Sequence, residues 1–284
     1  MPLTESSPMV QQALREGWAV AQINTNGATY GVTRAIIETA EEERAPVILG
    51  AYAANALYRG LEYCGISMRY FAERAEVPVA VHLDHGKSVG VCREALEAGF
   101  TSVMYDGSKS PIDENIAATR EVIELAAADG ASVEAEVGQL GGPEGENLSD
   151  PDEVARMCGE TEIDLLAVGI GTAHGFYDTE PDIRLDLLSD LAEVSSVPLV
   201  LHGTTGLSDE TVHACIERGI AKVNVGTLIR TRYVEHTRAV IDETEHEGHP
   251  WRVSREAMKR LKADVRYVLE LTGSCGKARS LSSM

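Results

Sequence analysis

Basic residues are scarce in this chain. Its 25 Lys and Arg stand against 45 Asp and Glu, for a formal charge of −20 over 284 residues. A phosphate backbone would be repelled over most of such a surface, which argues against a nucleic-acid partner. A small anion is not excluded, because a metal ion or aimed backbone amides can invert the local field. Long hydrophobic runs are missing too, with no window approaching the roughly 18 apolar residues of a membrane helix. The opening MPLTESSPMVQQALREGW lacks the basic-then-apolar pattern of a signal peptide. A cytoplasmic protein with no membrane partner is the expectation. Paired cysteines are absent as well: Cys64, Cys92, Cys158, Cys215 and Cys275 are scattered, without a C-x-x-C pair. That argues against a disulfide framework or a cysteine zinc site and for free, mostly buried thiols. No Pro-rich linker divides the chain, and one domain over 1–284 is expected.

What is present is a repeat. Short apolar runs at 18–23, 46–50, 78–83, 101–105, 132–136, 164–170, 198–202 and 220–225 alternate with amphipathic segments. Ser88, Asp113 and Ser208 read as helix starts, and Gly99, Gly130 and Gly219 as stops. Strand, helix, strand at this spacing implies parallel strands with helical crossovers. Eight strands close an α/β (β/α)8 barrel, the TIM barrel; a doubly wound open sheet is the competing arrangement. Two long helices follow strand eight. The second exceeds what one crossover needs, and could cap the barrel or make contacts in a homo-oligomer, a dimer or tetramer.

The placement of polar residues favours the barrel. Asn24 follows strand one, Asp84 and His85 strand three, and Asp106 strand four; Glu136 ends strand five. His174 follows strand six, His202 ends strand seven and Asn224 lies near the end of strand eight. On a barrel all of these share the C-terminal rim, where active sites are built.

Three rim histidines, His85, His174 and His202, can supply three nitrogen ligands and leave a fourth position open, the arrangement of a catalytic zinc. Alternation along the VHLDHG strand points His82 and Asp84 one way and Leu83 and His85 the other. A turn at the strand end would let Asp84 and His85 both address the mouth, with His85 on the metal and Asp84 acting on a proton. His82, deeper, reads as packed and hydrogen-bonded, and His213, His236, His246 and His249 as surface residues. GIGTAHG, HGTTG and NVGT end the last three strands. Their glycines let backbone N–H groups approach an anion, with hydroxyls from Thr204, Thr205 and Thr227. GIGTAHG fails as a dinucleotide fingerprint, because His174 takes the third glycine position and no helix follows. The glycine-rich stretch 138–150, with Glu144 and Glu146, reads as a solvated loop or a closing lid.

Taken together, VHLDHG, SVMYDGS, VEAEVGQLGG, GIGTAHGFY, LVLHGTTG and KVNVGT resemble, in this order, the class II zinc-dependent ketose-bisphosphate aldolases. AVAQINTN and TGSCGKA resemble that family's first strand and C-terminal end. The resemblance implies that His85, His174 and His202 bind catalytic Zn2+. It implies that Asp84 handles the proton on the substrate's C4 hydroxyl, or on the aldehyde oxygen in condensation. Asn24, Gly175, Gly203, Thr204, Thr205, Asn224, Val225, Gly226 and Thr227 would hold the phosphorylated ketose and its product dihydroxyacetone phosphate. Asp106 and Glu136 match a second, non-catalytic cation site, divalent or monovalent, and Glu144 a loop glutamate that moves a proton on the dihydroxyacetone phosphate carbon. The chain departs from the family at a shortened loop after 141–142, at Thr205, at Gly226, and at GAYAAN, which lacks a serine that often touches phosphate. Gly86, where tagatose-type members often carry a second histidine, leans toward fructose 1,6-bisphosphate; tagatose 1,6-bisphosphate and deoxy- or sulfo-ketose phosphates are the alternatives.

Three rivals stand beside this reading. Lys222 shares the inward parity of Asn224 and could form a Schiff base, although an ion pair with a carboxylate such as Glu134 also explains it. A metal-dependent hydrolase would use a bound water, but there is no H-x-H pair. A non-catalytic sugar-phosphate sensor would keep the pocket without turnover.

Overall fold

A computed structural model describes residues 2–138, 148–177, 181–243 and 249–278. Eight parallel strands close into one barrel in sequence order, β8 pairing back onto β1. They are β1 (Val20–Asn24), β2 (Val47–Tyr52), β3 (Val79–Gly86), β4 (Ser102–Tyr105), β5 (Ser132–Val137), β6 (Leu165–Val168), β7 (Leu199–Leu201) and β8 (Ile220–Val225). The expected runs are all strands, and β2 and β3 continue past their apolar stretches to Tyr52 and Gly86.

The first helix, α1 (Ser7–Glu16), precedes the barrel. Crossovers are α2 (Tyr30–Glu43), α3 (Ala53–Arg59) with α4 (Leu61–Ala72), α5 (Val89–Glu97), α6 (Ile112–Ala127), α7 (Pro151–Glu160), α8 (Leu185–Val194) and α9 (Asp209–Ile216). Ser88 and Ser208 cap α5 and α9 as expected, accepting from the amides of Val91 and Thr211. Asp113 does not cap α6: Pro111 holds that position, and Asp113 sits in the first turn, where its charge still suits the helix dipole.

After β8 come α10 (Thr227–Glu243) and α11 (Pro250–Leu271). α11 lies in the outer ring against α2 and α10 rather than over a barrel end. Its buried Val253, Ala257, Leu261, Val265 and Val268 follow helical spacing, while Arg266 pairs with Glu42 and Glu43 of α2. Among the described residues no helix is long and apolar enough to cross a membrane.

The inside of the barrel has two halves. At the N-terminal end Val20, Ile48, Ala80, Leu165, Val200 and Ala221 pack with Met9, Val10 and Ala13 of α1 and with Trp18. Helix α1 therefore plugs the floor, anchored where the Ser7 amide donates to Ser132 Oγ at 2.9 Å. Toward the C-terminal end the inward positions turn polar: Gln22, His82, Asp84, Glu134, Glu136, Lys222 and Asn224 are all buried.

Candidate active site

Strict alternation cannot aim two neighbouring side chains the same way, so the end of β3 has to break it. His85 adopts a left-handed backbone with φ +57, and the β3–β4 register shifts between Leu83 and Gly86. That bulge rotates the chain so that Asp84 and His85 both face the mouth. A β-strand residue with a side chain rarely takes such a φ, and such strain collects at functional positions.

The three rim histidines converge. Their ring centroids lie 4.7 Å (His85–His202), 5.0 Å (His85–His174) and 6.4 Å (His174–His202) apart. One nitrogen from each falls within a 4.8 Å group able to hold a metal ion. His85 Nδ1 donates to Asp106 Oδ2 at 2.6 Å, which leaves Nε2 as the nitrogen a metal would take in place of a proton. Nε2 is buried without a hydrogen-bond partner. An orphaned nitrogen facing two further imidazoles fits a divalent ion of the zinc type.

Asp84 is buried beside this cluster, its Oδ2 accepting from Asn24 Nδ2 at 2.8 Å and its Oδ1 from Asn224 Nδ2 at 3.1 Å. Burial alone would raise its pKa, but the fields of His85 and His202, with Lys222 behind them, hold it well below the ordinary carboxylate range. It is an ionised acceptor at neutral pH. Burial likewise opposes the charge on His85, yet Asp84, Asp106 and Glu136 outweigh it and push that imidazole up to about 9. His202 moves far the other way, through burial and then through His85. His174, exposed on the rim, is lowered by desolvation and His85.

Asp106 and Glu136 also come together, within reach of His85. Asp106 is already well occupied: Oδ2 accepts from His85 and from Lys87 Nζ, and Oδ1 from Ser108 Oγ at 2.7 Å. Glu136 is pushed up to about 8 by burial and by Asp106.

Next to the histidines, one cleft is lined by Asn24, Asp84, His174, Gly175, His202, Gly203, Thr204, Thr205, Asn224, Gly226 and Thr227. Gly203 has φ +69, and a Cβ there would meet the Ala173 carbonyl oxygen at 2.5 Å. Only glycine lets these two loops touch. Tyr177 clamps them, its hydroxyl donating to Gly203 O at 2.6 Å and accepting from the Ala173 amide at 2.9 Å. Two of the expected contacts take a different form. Val225 turns its side chain outward into the layer between sheet and helices, leaving only its backbone toward the cleft. Thr204 Oγ1 donates to Asn224 O at 2.7 Å, so its proton serves the fold. Thr205 Oγ1 accepts from the Leu228 amide at 3.2 Å, which leaves its own hydrogen unspent in that contact.

Residues 4–277 match the family model for class II fructose-bisphosphate aldolase. The chain belongs to the class II fructose-bisphosphate aldolase family. A 6-phospho-5-dehydro-2-deoxy-D-gluconate aldolase of Bacillus licheniformis is 38% identical, covering 98% of this chain and 97% of that protein. A fructose-bisphosphate aldolase of Staphylococcus aureus is 36% identical over 98% and 100%. Among solved structures, the YdjI aldolase of Escherichia coli K12 superposes with a TM-score of 0.87 at 31% identity, covering 97% of this chain and 99% of that one.

This aldolase is therefore a carbon–carbon lyase of a family that is generally metal-dependent. Asn26, Tyr52, Asn55 and Arg230 also line the cleft but went unnamed from the sequence. Tyr52 ends β2 on the same rim, and Arg230 lies one helical turn beyond Thr227, so both carried a positional signal. Lys222 forms the ion pair offered as the alternative to a Schiff base, its Nζ 2.5 Å from Glu134 Oε2. His82 is fully buried, as expected. His213 and His249 are exposed, while His236 is partly covered and bonds Asp264 at 2.7 Å. Glu144, Glu146 and His246 lie outside the described residues.

Proposed function

We propose that this aldolase cleaves a phosphorylated ketose, fructose 1,6-bisphosphate in the first instance, to dihydroxyacetone phosphate and an aldehyde, and that His85, His174 and His202 hold the Zn2+ it requires. The observation that carries the reading is Asp84: an ionised, buried carboxylate beside three converging imidazoles. Zinc held there would act as a Lewis acid on the ketone and on the negative charge that replaces it. Asn24 and Asn224 grip both carboxylate oxygens of Asp84 and aim it across the cleft. Asp84 then takes the hydroxyl proton as the carbon–carbon bond breaks, and returns it in condensation. A second acid must protonate the carbon left behind, which one fixed carboxylate cannot also reach; Glu144 is the sequence's candidate.

The amides of Gly203, Thr205 and Gly226, with the Thr205 and Thr227 hydroxyls, suit the phosphate of the dihydroxyacetone half. Asp106 and Glu136 would accept a second cation only in competition with Lys87. Arg230 is the one Arg or Lys among the described residues lining the cleft, and it suits a second anion on the substrate.

That preference admits a second reading. A carboxylate would serve Arg230 as well as a phosphate, and the Bacillus relative is named for a phosphorylated deoxy-keto-gluconate. Cleavage of fructose 1,6-bisphosphate, tagatose 1,6-bisphosphate and 6-phospho-5-dehydro-2-deoxy-D-gluconate should be measured before EDTA, after it, and after zinc is restored. Activity lost and regained supports the reading, and the best substrate names the reaction. Activity indifferent to EDTA but trapped by borohydride would move the chemistry to Lys222. Tight binding without cleavage of any ketose would leave a sensor.

A further inference from the structure

Beneath the histidines a chain of buried polar groups runs down the barrel interior. His202 Nε2 lies 3.0 Å from Glu134 Oε1, and Glu134 Oε2 lies 2.5 Å from Lys222 Nζ. Lys222 Nζ also approaches His82 Nε2 at 3.5 Å, His82 Nδ1 lies 2.7 Å from Ser102 Oγ, and Ser102 Oγ lies 2.8 Å from Ser6 Oγ. Every member is buried.

The direction of these bonds is not free. A lysine ammonium has donors and no acceptor, and an ionised carboxylate only accepts. Lys222 must therefore donate to both neighbours. On one side His82 accepts at Nε2, so it carries its proton on Nδ1 and donates to Ser102. On the other, Glu134 neutralises Lys222 through Oε2 and keeps Oε1 as an acceptor. His202 must then carry its proton on Nε2 and keep its lone pair on Nδ1. Asn224 Nδ2 lies 3.1 Å from His202 Nδ1 and 3.2 Å from Nε2, so that amide does not choose between the two nitrogens; the contact with Glu134 does.

We propose that Glu134, charged and fixed by Lys222, is a positioning residue that holds His202 in its Nε2–H form and so presents Nδ1 to the metal. The proposal rests on the reading of His202 as a ligand. A structural pair alone would explain less. Buried ion pairs add little net stability over apolar residues of similar volume, and pairing Lys222 needs one carboxylate oxygen, whereas the second is spent on His202.

The first test uses the full chain stripped of metal, with histidine ring nitrogens resolved by 15N NMR. His202 should appear as the Nε2–H form and His82 as the Nδ1–H form; His202 as Nδ1–H would overturn the proposal without any variant. The second is the Glu134→Gln/Lys222→Met pair, which removes both charges together, because Glu134→Gln alone strands a buried ammonium. Zinc affinity by chelator competition should fall about 10- to 100-fold in the folded pair, and the His202 tautomer should become mixed. Wild-type zinc affinity with an unchanged tautomer would sink the proposal while leaving the metal reading intact. His202→Ala separates the two: if it binds zinc as the wild type does, His202 is not a ligand and the metal reading itself fails.

Discussion

The floor and the mouth of this barrel are built by the same eight strands, yet they obey different rules. On the floor, Val20, Ile48, Leu165 and Val200 meet the apolar face of α1, and each buried methylene adds about 0.8 kcal/mol. At the mouth the same strands end in Asp84, Glu136, His202 and Asn224, charged or polar and almost dry. His85 Nε2, Glu136 Oε2 and Asn224 Oδ1 lack hydrogen-bond partners there, Glu136 Oε2 having only the His85 imidazole at 3.4 Å. Unmet groups gather at the mouth, although Gln12 Oε1 on α1 is also without a hydrogen-bond partner. Unmet hydrogen-bonding capacity, a strained φ at His85 and crowded charges all cost stability, and they are what a metal and a substrate would relieve. Stability and chemistry have been sorted to opposite ends of one set of strands.

The largest expected effect comes from breaking the mouth. Asp84→Ala should lower kcat by about 10^2- to 10^4-fold, the span of one general acid–base group. It should retain metal, and the melting temperature of the metal-free protein should fall, because the fold favours the ionised carboxylate that Asn24 and Asn224 hold. A variant with wild-type kcat would remove Asp84 from the mechanism.

Breaking the floor should do the reverse. Trp18 is 3% exposed and packs under the barrel beside Met9. Trp18→Ala should cost about 3–5 kcal/mol in denaturant unfolding, while kcat per folded molecule stays at the wild-type value. A fall in kcat as large as that of Asp84→Ala would mean that the two halves are not separable.

Arg230 sits at the exposed lip and sharpens the contrast. Losing a charged hydrogen bond to a substrate anion costs about 1.5–3 kcal/mol. Arg230→Ala should therefore raise KM about 10- to 100-fold and leave the melting temperature alone. An unchanged KM for every bisphosphate tested would put the distal anion elsewhere.

Much of this division could be read from the sequence, since eight Val- and Ile-rich runs announce a barrel and polar residues at their ends announce its mouth. The histidine trio followed from strand-end position alone. What alternation could not supply was the bulge at Asp84–His85, because no local propensity asks a histidine for a positive φ. It could not assign donors either. Thr204 lines the cleft, yet its hydroxyl is set to donate to Asn224 O, and Val225 faces outward although its neighbours line the cleft. The floor plug was hidden for a different reason: α1 reads as an ordinary amphipathic helix, and only the tertiary fold shows that Met9, Val10 and Ala13 close a barrel.

The smallest effect is one of pH, and its sign separates the halves once more. In metal-free protein His85 is raised from 6.5 to about 9, so the stability it contributes is complete below pH 6.5 and is lost as the pH climbs through 9. Glu136, raised from 4.5 to about 8, acts in the same direction over a lower range, its protonated form being the one the fold favours. Asp106 is lowered, so its contribution is present above 3.8 and fades only in acid. The melting temperature of metal-free protein should therefore fall between pH 6.5 and 9. Trp18→Ala should start lower and follow the same slope, since the titrating partner of Trp18, Glu16, is lowered from 4.5 and lies below this window. Saturating zinc should flatten or reverse it, because metal competes with the proton on His85 and gains affinity as that proton leaves. A metal-free profile that is level or rises across this window would show that the mouth does not hold those two protons.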